Sequence, residues 1–150
     1  MPTSASQLEQ PRSAKVAARR RHRILIIDDD DILAEVLARQ LARQGFDAIT
    51  AGSGAAGLEK ARSAHPDLIV LDLRLPDADG FSVCQELADA SQTWSIPVIM
   101  LSGLEGPDIL RRCRAAGGRY FVRKPYDPNA LLVLIRHAIH EAGAWDAWNC

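Results

Sequence analysis

Five short apolar runs, at residues 23–28 (RILIID), 47–51 (DAITA), 67–72 (DLIVLD), 97–101 (PVIML) and 119–122 (RYFV), alternate with longer mixed stretches. The first, third and fourth are almost unbroken Ile, Leu and Val, the pattern of strands covered on both faces in a parallel sheet. The stretches between them carry helical periodicity. Residues 31–44 place Ile32, Leu33, Val36, Leu37 and Leu41 on one expected apolar face, and Gly45 follows as a stop signal. Helices are likewise expected over 54–64, 80–90, 107–116 and 128–142. Pro66 and Gly117 close two of them, and Pro107 and Pro128 suit the first turns of the helices they open. Strand and helix alternate five times. Right-handed crossovers then predict an α/β fold, a doubly wound five-stranded parallel sheet with helices on both faces. Ligands of such sheets gather at the carboxyl ends of the strands, near the switch point.

The residues that end the strands carry the chemistry. The first run ends in Asp28-Asp29, the third in Asp72, the fourth delivers Ser102-Gly103, and the fifth ends in Arg123-Lys124-Pro125. In a parallel sheet all of these emerge at one edge. Three carboxylates at close quarters repel one another and raise each other's pKa values, and a divalent cation among them resolves the conflict. Oxygen ligands of this kind suit Mg²⁺, which retains waters and leaves room for phosphate oxygens. Lys124 supplies a compact positive charge and Ser102 a hydroxyl. Such a group stabilises a phosphoryl group in transfer. Asp72 stands on a different strand from Asp28 and Asp29, so it can face the incoming phosphorus and form an acyl phosphate. Taken singly, each residue also has a plain structural role: Asp30 or Asp31 as a helix N-cap, Ser102 as a turn residue. Their joint occurrence at four strand ends, in order, favours the site.

Charge and cysteine content add limits. Six basic side chains (Arg12, Lys15, Arg19, Arg20, Arg21 and Arg23) stand against Glu9 in residues 1–23, a net +5, while the remainder carries −6, giving −1 for the 150 residues. Residues 1–22 are therefore expected to form a basic flexible tail, more simply a solubilising segment than an interaction arm. Cys84, Cys113 and Cys150 show no metal-type spacing and fit a reducing cytoplasm. No apolar run approaches the ~18 residues of a membrane span, and no secretion signal is evident. A cytoplasmic protein without membrane contact is expected.

With these residues in place, the chain over about 22–142 resembles a two-component response-regulator receiver domain, through ILIIDDDD, DLIVLDLRLPDADG, PVIMLSG and YFVRKPYDP. The spacing from Asp72 to Ser102 and on to Lys124 agrees with the family pattern. The resemblance implies a flavodoxin-like receiver fold with strand order 2-1-3-4-5, occupying residues 23–142. It implies Asp72 as the phosphoacceptor, with Asp28, Asp29, Asp72 and the backbone carbonyl of Arg74 holding Mg²⁺. It makes Ser102 the switch hydroxyl, Lys124 the ion-pairing lysine, and Phe121 the aromatic that swings inward with Ser102. Pro125 falls where the family tends to have a cis peptide bond, and Pro76 and Gly80 match the turn after the phosphoacceptor. The implied activity is self-catalysed phosphotransfer and autodephosphorylation rather than enzymatic turnover of a separate substrate. The donor would be a sensor histidine kinase or a histidine phosphotransfer protein. The downstream partner would bind the face made by the fourth helix, fifth strand and fifth helix, and a homodimer is a further option.

Some positions depart from the common pattern. Gly103 stands where Ala is usual, and Gly118-Arg119 replaces an acidic pair, adding to Arg111, Arg112 and Arg114 on the signalling face. Arg74 and Leu104 occupy the two variable places that tune phosphoryl lifetime in the family; Arg74 could shield the site or hold a partner. Residues 143–150 (GAWDAWNC) read as a short C-terminal tail with no output domain, so output is expected through a partner or a phosphorelay. Trp145 and Trp148 are expected to close the helix end, with docking as the alternative. The apolar run 131–135 suits either a pairing face or a deeply buried helix.

Three rival functions are weaker. Asp28-Asp29-Asp30 fits the D-x-D signature of aspartate-nucleophile phosphohydrolases, but the later acidic cluster is missing and Asp72 would have no role. A phosphorylation-independent binding module would leave a complete residue set unused. Nucleic-acid binding through residues 19–23 would be salt-dependent and sequence-blind at best.

Overall fold

The computed structural model describes residues 21–149, with side chains to residue 143. The strands are β1 (Arg23–Ile27), β2 (Asp47–Ala51), β3 (Leu68–Asp72), β4 (Val98–Ser102) and β5 (Tyr120–Arg123). The helices are α1 (Asp31–Arg43), α2 (Gly54–Ala64), α3 (Gly80–Asp89), α4 (Asp108–Ala115) and α5 (Pro128–Asn149). All pairings are parallel, in the order β2-β1-β3-β4-β5. The apolar runs sort as their composition requires. Ile24–Ile27, Leu68–Leu71, Ile99 and Met100 are almost wholly buried, whereas the less apolar β2 and β5 form the edges. Each fully buried aliphatic side chain contributes about 1.5–3 kcal/mol through removal from water, so the central strands dominate the core.

Side chains alternate along each strand, so the two faces bury separate cores. Leu25, Ile27, Ile69, Leu71 and Met100 pack with α2, α3 and α4; Ile24, Ile26, Leu68, Val70, Ile99 and Leu101 pack with α1 and α5. From β1 the chain passes outward to β2 and then returns to β3 on the other side. The carboxyl ends of β1 and β3 therefore adjoin at the switch point, where a crevice forms.

Helix ends follow their local chemistry. Asp30 caps α1 by accepting from Leu33 N, and Ser53 caps α2 by accepting from Ala56 N. Gly45 and Gly117 adopt positive φ just past α1 and α4, as a glycine stop allows. Two expectations are corrected. In α1 the buried residues are Ala34, Leu37 and Leu41, while Ile32 (77% exposed), Leu33 and Val36 face outward. The last helix does not end at 142 but continues through Gly143 to Asn149, because one glycine weakens a helix by about 1 kcal/mol without breaking it. In the apolar run 131–135, Leu131 and Ile135 are buried while Val133 is 67% exposed, so the helix is buried along a stripe. The expected basic tail lies outside the described residues except for Arg21 and His22, and the side chains of Trp145 and Trp148 lie outside the described ones. Among the described residues no helix is long and apolar enough to cross a membrane.

Candidate functional site

Strand register brings the sequence candidates to one edge. β1 ends beside β3, so Asp28 and Asp29 leave the sheet next to Asp72; β4 ends in Ser102, and β5 leads into Lys124. One carboxylate oxygen from each of Asp28, Asp29 and Asp72 lies within 4.8 Å of the others. Asp28 and Asp72 are buried and Asp29 is exposed. Asp30 does not join them, since it caps α1, and Asp31 lies in the helix's first turn.

Lys124 closes the site from the far strand. Its Nζ donates to Asp72 Oδ2 at 2.6 Å and stands 3.6 Å from Asp28 Oδ2. The other Asp72 oxygen accepts from Arg74 N at 2.9 Å, and Asp28 Oδ1 accepts from Asp30 N at 3.0 Å. Burial raises the Asp28 carboxyl, the Asp30 N–H and the Lys124 charge oppose this, and the Asp72 charge adds to it, leaving it pushed up to about 6. Burial pulls the Lys124 ammonium down, but its bond to Asp72 and the charges of Asp72 and Asp28 outweigh this and hold its pKa above the ordinary lysine value. Two buried acids sharing one ammonium, beside a third acid, leave negative charge in excess. Exclusively oxygen donors with that excess fit a hard divalent cation such as Mg²⁺.

Ser102 is buried, and its Oγ accepts from Leu104 N at 2.8 Å, while its backbone carbonyl accepts from Lys124 N at 2.8 Å. The Ser102 hydroxyl oxygen is thus engaged with its own loop. Phe121 is half-buried on β5 and packs with Leu104 against the same core face. The Lys124–Pro125 peptide is cis, as the resemblance implied.

The turn after Asp72 is tightly built. Arg74 and Asp79 form an isolated antiparallel bridge, and Gly80 N donates to Leu73 O at 3.1 Å. Asp79 caps α3, and Asp77 accepts from Gly54 N and Ala55 N at the start of α2. These N–H groups hold the Asp77 carboxyl below its ordinary pKa. A Cβ on Gly80 would stand 2.5 Å from Leu73 Cα and 2.9 Å from Asp72 O, whereas one on Gly103 meets nothing within 4 Å. Gly80→Ala is expected to lower stability by about 1–3 kcal/mol in urea unfolding, with Gly103→Ala within about 0.5 kcal/mol of the parent. Equal stabilities for the two variants would contradict this packing.

Sequence reasoning missed three participants. Asp77 ties the turn to α2; Arg112, on α4, reaches Asp79 in the turn; and Ile32, Leu33 and Val36 form an apolar patch beside the site. Leu33 and Val36 join Lys124, Pro125, Tyr126 and Pro128 around an open cavity of about 440 Å³. Only the last had a sequence signal, in the excess of apolar residues on α1.

Comparison with known proteins agrees with this geometry. The family model described as response regulator receiver domain matches residues 24–136. The transcriptional regulatory protein CseB of Streptomyces coelicolor is 36% identical over 121 residues, covering 80% of this chain and 50% of that protein. The DNA-binding dual master transcriptional regulator RpaA of Synechocystis is 39% identical over 114 residues, covering 76% and 47%. The chain thus spans about half the length of these relatives. Among solved structures it is similar to a CheY-like receiver domain protein from Methanospirillum hungatei (TM-score 0.78, 25% identity, covering 83% of this chain and 98% of that one). It is also similar to the chemotaxis protein CheY4 of Vibrio cholerae (TM-score 0.75, 26% identity, covering 79% and 98%).

Proposed function

This chain belongs to the response regulator receiver domain family, and from that premise we propose that Asp72 accepts a phosphoryl group from a phosphohistidine donor and passes the signal to a protein partner. The observation that carries this is Lys124 Nζ at 2.6 Å from Asp72 Oδ2, with Asp28 and Asp29 converging on the same point. Asp72 is held ready for attack: Arg74 N fixes one oxygen while the ammonium orients the other. In the transfer, an Asp72 oxygen bonds to phosphorus as the phosphorus–nitrogen bond to the donor imidazole breaks, and the electron pair returns to the ring nitrogen. Lys124 then has a phosphoryl oxygen to pair with, and Ser102, whose Oγ accepts from Leu104 N, can donate its hydroxyl proton to another. Asp28, Asp29, Asp72 and the Arg74 carbonyl would hold Mg²⁺, which supplies charge neutralisation of the phosphoryl oxygens.

The donor is a sensor histidine kinase or histidine phosphotransfer protein. Its support is the exposed apolar patch of Ile32, Leu33 and Val36, two of whose members line a cavity together with Lys124, the partner of Asp72. The outgoing partner is assigned to the α4–β5–α5 side, where Leu110 and Val133 are exposed. In the test, acetyl phosphate with Mg²⁺ adds one phosphoryl group to the intact protein by mass spectrometry. A Leu33→Asp, Val36→Asp double variant keeps that reaction but slows transfer from a phosphohistidine protein by about tenfold or more, the effect of losing about 1.4 kcal/mol at an interface. Absence of labelling in the parent chain would sink the reading. Equal slowing with both donors would sink the docking assignment.

A further inference from the structure

Arg112, on α4, makes its contacts with the turn that follows Asp72 and with the first turn of α3. Its guanidinium carbon lies 4.0 Å from the centroid of the Phe81 ring, and its Nη2 is 3.6 Å from Asp79 Oδ2. Both partners are fixed. Asp79 Oδ1 accepts from Phe81 N at 3.1 Å, and the Asp79 backbone bridges Arg74. Arg74 N in turn donates to Asp72 Oδ1. A continuous path of contacts therefore runs from α4 through Asp79 to the backbone beside Asp72.

The same helix is joined to the site from its other end, because α4 follows Ser102 after only five residues, 103–107. α4 is thus tethered to both loops that line the crevice. An exposed ion pair at 3.6 Å contributes little alone. Here, however, the planar guanidinium also stacks on an aromatic face, which pre-orders it for the carboxylate. Arg111 differs, since it pairs with Asp108 within its own helix.

We propose that Arg112 is a positioning residue that couples the placement of α4 to the Arg74 backbone, and so to cation and phosphoryl affinity at Asp72. This rests on the function proposed above. By linkage the coupling runs both ways: occupation of the site biases α4, and displacement of α4 loosens the site.

The sign of one measurement separates this role from a plain charge effect. Removing a positive charge near the acidic cluster would by itself tighten cation binding. Loss of positioning weakens it. Mg²⁺ alone is titrated into the full chain at physiological ionic strength and followed by amide resonances of Arg74 and Gly80. Arg112→Ala is expected to weaken Mg²⁺ binding about two- to fivefold with an unchanged metal-free melting temperature, and Arg112→Lys to recover part of the loss. Asp79→Asn combined with Arg112→Ala should weaken binding no further than the worse single variant. Tighter or unchanged Mg²⁺ binding in Arg112→Ala, or additive losses in the double variant, overturns the proposal. Failure of the functional reading shows separately, as a parent chain that acetyl phosphate does not label.

Discussion

An Asp72→Asn chain is expected to take no phosphoryl group from acetyl phosphate or from a phosphohistidine protein, a fall of at least about a thousandfold in labelling, as for loss of a reacting nucleophile. The reason is chemical rather than steric. Asparagine preserves the shape of the side chain and can still accept from Arg74 N, but its neutral amide oxygen cannot form an acyl phosphate. It also removes the negative charge that Lys124 Nζ meets at 2.6 Å, leaving Asp28 at 3.6 Å as that ammonium's neighbour. In the parent chain the label should be released by hydroxylamine, the signature of an acyl phosphate, whereas a phosphoserine at Ser102 would resist. Persistent hydroxylamine-sensitive labelling of Asp72→Asn, or loss of labelling only in Asp28→Asn, would point instead to a nucleophile on β1's side of the crevice.

The second large effect has opposite signs with and without metal. Asp28→Asn is expected to raise the stability of the metal-free protein at neutral pH and to remove most of the stabilisation that Mg²⁺ gives the parent. The folded Asp28 carboxyl is pushed up to about 6, well above its unfolded value, so the folded state binds more protons than the unfolded state across that interval. Stability from this group is therefore fully present below about pH 4 and is lost as pH rises through about 6. Asparagine escapes that loss. The shift, in which the opposing attraction of Lys124 is already counted, corresponds to a gain of roughly 3 kcal/mol at most. Urea unfolding in chelator at pH 4 and pH 7.5 checks this: the two proteins should converge in acid and diverge at the higher pH. An Asp28→Asn chain that is less stable than the parent at pH 7.5 without metal would show that pairing with Lys124 outweighs burial.

Much of this was legible in the chain because strand interior and strand end use different chemistry. Ile24–Ile27 and Leu68–Leu71 announce central strands, and the polar residue directly after such a run must appear at the sheet edge. Asp28, Asp72 and Ser102 follow from that counting, with Lys124 one residue past the polar Arg123 that ends β5, and their relative heights follow from the parallel register. Two kinds of information were not legible. The first is which apolar residues of a helix face inward. Ala34, Leu37 and Leu41 make the buried stripe of α1, while the equally apolar Ile32, Leu33 and Val36 point away from the core, and hydrophobicity alone does not distinguish a core from a docking face. The second is contact between distant helices and loops. Nothing local marks Asp77 as the carboxylate that accepts from Gly54 and Ala55, or singles out Arg112 from Arg111 and Arg114. Such pairings exist only after the layers have assembled.

The length of α5 has a mechanical consequence. Its 22 residues, Pro128–Asn149, begin three positions beyond Pro125 and make a rod of about 33 Å, roughly twice the span of a five-residue strand. A stiff rod pivoted near one end acts as a lever. Tilting it by about 10° at Pro128 would sweep its far end through about 6 Å, so any tilt set beside Lys124 would be felt most at the end of the helix farthest from the site.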